Sequence, residues 1–402
     1  MRPPRPALLV ALGLFVVASA SAQGVRGDGR GGVEAVRERV RDGDAALRPA
    51  YERLLAEADE AVGTAFASIL DKDATAPSGD PQDYYSLAPY WWPDPDTPDG
   101  LPYVRRDGER NPEARALDDR ALSAVLDAVP TLAWAWYFSG DDRYAAKAGD
   151  LLRLWFVDPA TRMNPNLTYA QGIRGRSDGR KFGIIETSEM PEVVDALAVL
   201  KTGPALSAAD WGGVDAWLAD YLVWLRTSEL GIAESNWLNN HATAYDAQVA
   251  AIALYLGQDE TAREVLAAFP ARRIDRQIEP GGIQPQEAAR TKSFGYSASN
   301  LLHAFNAAAL APRVGVDLFG YESVEGRSLR RALDYLVPVV EGRDNWAFPQ
   351  LPNAWDDGER RLAALLRRAA LAYDAPAYEA ARERLDPDPT ARYHLLFPHP
   401  AR

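Results

Sequence analysis

From Val33 onward, apolar residues return at intervals near 3.6 in one segment after another, and sustained alternation is almost absent. A chain patterned this way folds as packed helices with their apolar stripes turned inward. The periodic runs are Val33–Leu70, Arg115–Phe138, Asp141–Phe156, Met190–Leu200, Ala208–Ser228, Asn240–Leu256, Glu260–Ala268, Ala298–Ala311, Leu329–Val340, Arg360–Tyr373 and Tyr378–Leu385. Connectors rich in Gly, Pro, Asp and Asn separate them, such as Pro93-Asp94-Pro95-Asp96 and Pro280-Gly281-Gly282,. Helices joined this way pack as antiparallel hairpins. The pattern predicts an all-α fold, an incomplete (α/α) toroid or barrel, with residues 33–402 as one domain. No fixed sequence period supports a solenoid. Two stretches, 72–113 and 157–187, are too long for ordinary connectors. Both are rich in aromatics and arginine, so they are expected to line a cleft.

The N-terminus reads as a secretory signal peptide over 1–22. Arg2 and Arg5 form a basic start, Ala7 to Ala18 is a short apolar run, and Ala20-Ser21-Ala22 is a small-residue cleavage site,. The apolar run is well short of the roughly 20 residues of a spanning helix. Residues 23–32 read as a flexible leader. The expectation is an exported protein, periplasmic or secreted, that is not a membrane protein.

There are no cysteines, which excludes thiolate metal sites and a cysteine nucleophile,. The four histidines, His241, His303, His394 and His399, are too scattered for a zinc cluster. Asp94, Asp96 and Asp99 lack the spacing of a calcium loop and read as turn residues. No metal or cofactor is expected. Net charge is −13, or −15 without Arg2 and Arg5, which argues against nucleic acid,. Basic residues nonetheless cluster at Arg105 and Arg106, at Arg174, Arg176, Arg180 and Lys181, and at Arg290 and Lys292. A cleft can hold a local field opposite to the global charge. The plainer reading is that these side chains are simply solvated.

Two short segments carry chemistry. In the first, Asn239-Asn240-His241 opens a helical run to Gln248. Asparagine caps helices, so one of the pair could serve only that role. His241, Tyr245 and Gln248 fall at i, i+4 and i+7 and share a face of an otherwise alanine-rich helix. That polar face is expected to look into a cleft. The second segment is Arg290 to Tyr296, with Glu287 before it and Asn300 after it. Arg290 and Tyr296 are six apart, out of register for one helix, but a loop at Ser293-Phe294-Gly295 could aim both into one pocket. The plainer reading pairs Arg290 with Glu287 and puts Tyr296 in the core.

An amide, an imidazole, a guanidinium and a phenol together suit one reaction. A uronic acid has a C5 proton next to its carboxylate. Asn and Arg can neutralise that carboxylate and stabilise an enolate-like intermediate. His or Tyr can take the proton, and Tyr can protonate the departing C4 oxygen. In mannuronate and glucuronate the C5 proton and C4 oxygen share a side, so one Tyr could serve both. In guluronate they are opposed, which calls for His on one face and Tyr on the other. Tyr90-Trp91-Trp92-Pro93, Trp237 and Phe294 supply aromatic faces for sugar rings, with one of Trp91 and Trp92 expected as a core plug. Two other readings compete. A glycoside hydrolase would use a pair among Glu186, Glu189, Asp246 and Glu287. A binding protein would keep the cleft without turnover.

The chain resembles the alginate lyase superfamily of helical polysaccharide lyases. The resemblance rests on Ser86 to Pro95 (SLAPYWWPDP), Asp158 to Gln171 (DPATRMNPNLTYAQ), Gly183 to Glu186 (GIIE), Asn239-Asn240-His241, and Arg290 to Asn300. It implies an incomplete α/α toroid with a deep cleft. It implies Asn240 and Arg290 as carboxylate neutralisers, His241 as base or its assistant, and Tyr296 as base and acid. Tyr90, Trp91, Gln171, Arg174, Arg180, Trp237, Asn239, Tyr245, Glu287 and Lys292 are expected around the substrate. The partner is an anionic polysaccharide: alginate, glucuronan or a related β-linked polyuronate. The protein is expected to act as a monomer or weak homo-oligomer.

Overall fold

Inner helices of the fold are apolar on all sides, and outer ones carry a single apolar stripe. The computed structural model describes residues 32–398. The expected signal peptide and all of the expected leader except Gly32 lie outside the described residues.

The helices are α1 (Val33–Arg41), α2 (Arg48–Gly63), α3 (Asp118–Ser139), α4 (Asp142–Leu152), α5 (Met190–Leu200), α6 (Ala208–Thr227), α7 (Glu229–Ser235), α8 (Asn240–Tyr255), α9 (Asp259–Phe269), α10 (Asp275–Gln277), α11 (Pro285–Ala288), α12 (Ser293–Leu310), α13 (Leu329–Leu336), α14 (Trp355–Ala372), α15 (Pro376–Leu385) and α16 (Tyr393–Leu396). Helices α3, α5, α8, α12 and α14 pack side by side in that order as the inner layer. Behind them, α2 and α4 back α3, α6 and α9 back α8, α13 backs α12, and α15 backs α14. This is the α/α toroid. The C-terminal segment ties the two ends of the arc. Arg392 donates to Glu57 and Thr131, and Arg367 of α14 donates to the Phe397 carbonyl.

Helix α8 is buried along nearly its whole length. Only its first turn reaches the central cavity. The polar face expected at His241, Tyr245 and Gln248 therefore reaches that cavity only at His241. Tyr245 donates to the Leu225 carbonyl at 2.8 Å, and Gln248 accepts from Thr187 at 2.8 Å. Both are buried polar groups satisfied by the protein.

The other differences have local causes. Val33–Leu70 is two helices followed by irregular chain after Gly63, and the break between the helices falls where Gly43 takes a φ of +78° and Asp44 caps the turn by accepting from Ala46 N–H,. Leu329–Val340 leaves α-geometry after Leu336, next to Pro338,. Helix α12 begins at Ser293, so Ser293-Phe294-Gly295 is its first turn and not a loop.

The two long connectors are ordered against each other. Strand β1 (Tyr85–Leu87) pairs in parallel with β4 (Tyr169–Gly172), and β2 (Trp91–Trp92) pairs antiparallel with β3 (Val104–Arg105). A buried Lys72–Asp118 ion pair at 2.9 Å pins the first connector to the start of α3. The same ammonium donates to the carbonyls of Ile69, Pro81 and Asp83. Asp94 accepts from Asp96 N–H and Asp99 from Leu101 N–H, so these aspartates hold turns.

Candidate active site

A cavity of about 650 Å³ opens between the inner helices and the two connectors. The start of α8 places Asn239, Asn240 and His241 in its wall. Asn239 is the cap: its side chain accepts from His241 N–H at 3.1 Å,. Asn240 is thus left to point elsewhere. Its N–H and its side-chain nitrogen both donate to Glu287, at 2.6 and 3.1 Å. His241 is held through Nδ1, 2.8 Å from the fully buried Glu234, and packs edge-on against Phe182. With Nδ1 engaged, Nε2 is the ring nitrogen left for the cavity.

Arg290 and Tyr296 meet despite their spacing because the chain turns between α11 and α12. Arg290 sits in that turn and Tyr296 in the first turn of α12. The guanidinium lies over the Tyr296 ring at 4.3 Å and donates to its hydroxyl at 3.3 Å. Its carboxylate partner is Asp107, at 2.8 and 3.2 Å, and not Glu287. Asp107 also accepts from Arg105 and from Thr291. Burial pushes the Asp107 carboxyl up, but Arg290 and Thr291 outweigh it and hold it well below the usual carboxylate range. On the far side of Tyr296, the Tyr90 hydroxyl lies 2.7 Å away. Burial and that neighbour raise the Tyr296 phenol well above its ordinary value, while Arg290 pulls the other way.

Arg180, Gln171, Glu186 and Glu189 form another part of the lining. Gln171 has a φ of +50°, a left-handed conformation uncommon outside glycine,. Its side-chain oxygen accepts from Arg180 at 2.6 Å and its carbonyl from the same guanidinium at 3.1 Å. Burial lowers Arg180 to about 10. Glu186 accepts from Tyr84 and Ser86 at 2.8 and 2.6 Å, and burial pushes it up to about 8.

The cavity thus brings together Asn240, His241, Arg290 and Tyr296, with Tyr90, Trp91, Gln171, Arg180, Trp237 and Asn239 around them. Four expected neighbours lie elsewhere. Tyr245 is enclosed by helices. Glu287 is buried beneath Asn240. Arg174 is exposed beside Tyr103, at a separate small depression. Lys292 does not line the cavity and sits 5.5 Å over the Tyr90 ring. Phe294 is a core residue packed on Trp346 and Trp355. Neither Trp91 nor Trp92 is a core plug: both are half-buried, with Trp91 against Arg176 and Trp92 against Arg106.

Sequence reasoning missed Asp107 and Glu234, which orient the guanidinium and the imidazole. Neither carries a local motif. Among the described residues, no group of three or more His, Asp or Glu is placed to hold a metal ion. Of the carboxylates a hydrolase would need, Asp246 is locked in a buried ion pair with Arg273 at 2.8 Å and Glu287 is under Asn240.

A helical toroid whose cleft holds an amide, an imidazole, a guanidinium and a phenol is an arrangement that a polysaccharide lyase can use. A family profile described as Alginate lyase matches residues 68–346. The crystal structure of an alginate lyase from Bacteroides ovatus superposes with a TM-score of 0.87 at 39% identity, over 91% of this chain and 96% of that one. Alginate lyase A1-III from Sphingomonas species A1 shares the fold, with a TM-score of 0.58 and 18% identity over 92% of this chain and 95% of that one. A histidine-to-alanine variant of A1-III complexed with a tetrasaccharide has a TM-score of 0.60 at 17% identity, over 95% and 98%. No curated protein sequence matches. The chain belongs to the alginate lyase family.

Proposed function

We propose that this lyase cleaves a β-1,4-linked polyuronate by β-elimination, with mannuronate-type alginate as the first choice and glucuronan as the second. The two solved lyase structures described above, from Bacteroides ovatus and Sphingomonas species A1, share its fold and are alginate lyases. The observation that carries the reaction type is the convergence of Asn240, His241, Arg290 and Tyr296 on one cavity.

In this reading Asn240 and Arg290 receive the uronate carboxylate and stabilise the charge that builds on it once C5 loses its proton. His241 or Tyr296 takes the C5 proton, and Tyr296 delivers a proton to O4 as the C4–O4 bond breaks. The product carries a C4=C5 double bond at its new non-reducing end. The preference for mannuronate draws support from the phenol pair. Tyr90 and Tyr296 place two hydroxyl oxygens 2.7 Å apart. That spacing suits a sugar whose C5 proton and C4 oxygen lie on one side. Charge stabilisation is assigned to side chains, so turnover is expected to survive a chelator. The Arg2–Ala22 signal supports an exported, periplasmic or secreted enzyme.

The test is ultraviolet absorbance during incubation of the mature protein with polymannuronate, polyguluronate and glucuronan. A conjugated product absorbing fastest on polymannuronate is expected. New reducing ends without absorbance would overturn elimination. A fastest rise on polyguluronate would overturn the mannuronate preference.

A further inference from the structure

We infer that Glu287 is a positioning residue that selects which end of the Asn240 amide serves the substrate, an inference that rests on the lyase reading above. Glu287 is 1% exposed, so it cannot touch a polymer in the cleft. Both of its oxygens are engaged by Asn240, Oε1 by the backbone N–H at 2.6 Å and Oε2 by the side-chain nitrogen at 3.1 Å. A side-chain amide can turn over and exchange its oxygen for its nitrogen at little cost when nothing discriminates. Here a carboxylate discriminates. The turned-over amide would set its oxygen against Glu287 Oε2, oxygen facing oxygen. The observed orientation keeps the nitrogen in place, and its second N–H is the donor left for a uronate carboxylate.

The support is rigid. Glu287 stands on α11, whose N–H groups at Glu287 and Ala288 donate to the Gln284 carbonyl. The Gln284 side chain accepts from Asn300 at 2.8 Å and donates to the Ser297 carbonyl at 3.1 Å, which fixes α11 against α12. Asn300 also donates to Gln277, which reaches the Asn239 carbonyl at the start of α8. The carboxylate therefore sits at a junction between the helix that carries Asn240 and the one that carries Tyr296. It also takes up the Asn240 N–H at the start of α8, where the helix dipole favours a negative charge. Burial pushes Glu287 up, to about 7, against the pull of its Asn240 bonds and of Arg290, so the discrimination belongs to the ionised carboxylate and the variants are compared above that pH,.

A glutamine at this position keeps the shape but offers one acceptor and one donor. If it turns over itself, its NH₂ meets the Asn240 backbone N–H, which cannot turn; if it does not, its NH₂ faces the Asn240 nitrogen, and that is relieved by turning the Asn240 amide over. The cavity would then lose its donor. The test compares wild type, Glu287→Gln and Glu287→Asp on polymannuronate, with thermal melting measured beside kcat and KM. Glu287→Gln is expected to lower kcat tenfold or more, to leave KM within threefold, and to melt close to wild type. Glu287→Asp keeps the buried charge but withdraws the carboxylate by one methylene, and an intermediate kcat is expected. A folded Glu287→Gln with kcat within twofold of wild type would overturn the inference. If Glu287→Gln does not fold, the aspartate variant decides. Wild-type kcat in it overturns the inference, and a reduced kcat with unchanged KM supports it. A wild type with no absorbance rise on any polyuronate refutes the lyase reading instead, before any variant is compared.

Discussion

The phenol oxygens of Tyr90 and Tyr296 lie 2.7 Å apart, although the residues stand 206 positions apart in the chain. The first connector carries Tyr90 and α12 carries Tyr296, so the bond exists only when the connector is folded over the toroid. Tyr296→Phe is expected to cost at least ~100-fold in kcat with little change in KM, because only the proton carrier is lost. Tyr90→Phe removes one hydrogen bond, about 1 kcal/mol, and is expected to cost roughly fivefold. Steady-state kinetics on polymannuronate checks both. Equal effects from the two changes would contradict the assignment of the proton to Tyr296.

Asp107 holds Arg290 through two hydrogen bonds and so competes with substrate for the same guanidinium. In Asp107→Asn the competition weakens, and the guanidinium plane is less well fixed. The expected outcome is a kcat lower by about tenfold with KM unchanged or lower, since small misplacements are costly in rate but not in ground-state binding. A raised KM with normal kcat would assign Asp107 to the binding surface.

Much of this site is legible in the sequence. The Asn239-Asn240-His241 and Arg290–Tyr296 segments are local, and their residue types suggest the chemistry proposed above. The helices are legible because burial of one face leaves a 3.6 period. Tyr245 and Gln248 mislead, because periodicity identifies a face but not whether another helix covers it. The start of α12 escapes detection for a related reason. Ser293 N–H donates to the Pro349 carbonyl and Phe294 N–H to the Gln350 side chain, so the cap comes from two residues more than fifty positions away. Asp107 and Glu234 are invisible to sequence reasoning because each owes its role to the position the fold gives it.

Asp246 and Arg273 form a buried ion pair within the helical core, at 2.8 and 3.0 Å. Asp246→Ala strands a guanidinium that is 2% exposed. A loss of about 3 kcal/mol or more is expected, measured by denaturant unfolding. Below the transition, kcat should stay within threefold of wild type. Loss of turnover in the folded variant would revive Asp246 as a reacting carboxylate.

Glu186 faces the cavity and is pushed up to about 8 by burial. Below that pH it holds its proton and is neutral. Above it, the cavity gains a negative charge that repels an anionic polymer. KM is therefore expected to rise as pH passes about 8, with kcat following its own course. Glu186→Gln cannot ionise, so its KM should stay level across the same range. Parallel KM profiles for the two proteins would remove Glu186 from substrate binding.

The pH dependence of kcat also separates the two candidate bases. Burial and Tyr90 raise the Tyr296 phenol above its ordinary value, so its phenolate is a small fraction at neutral pH. That fraction grows tenfold with each pH unit while the pH stays below the phenol's pKa. If Tyr296 takes the C5 proton, log kcat should climb with a slope near one through the alkaline range. An imidazole base instead gives a rate that levels off once the ring is neutral. The expected result for a mannuronate-type substrate is the climb, because one residue on one side of the sugar can then serve both proton steps. A rate that stays level through the alkaline range would move the base to His241, with Glu234 fixing its tautomer and Tyr296 kept as the acid. Such a plateau on polymannuronate would also remove the phenol pair as the reason for a same-side elimination.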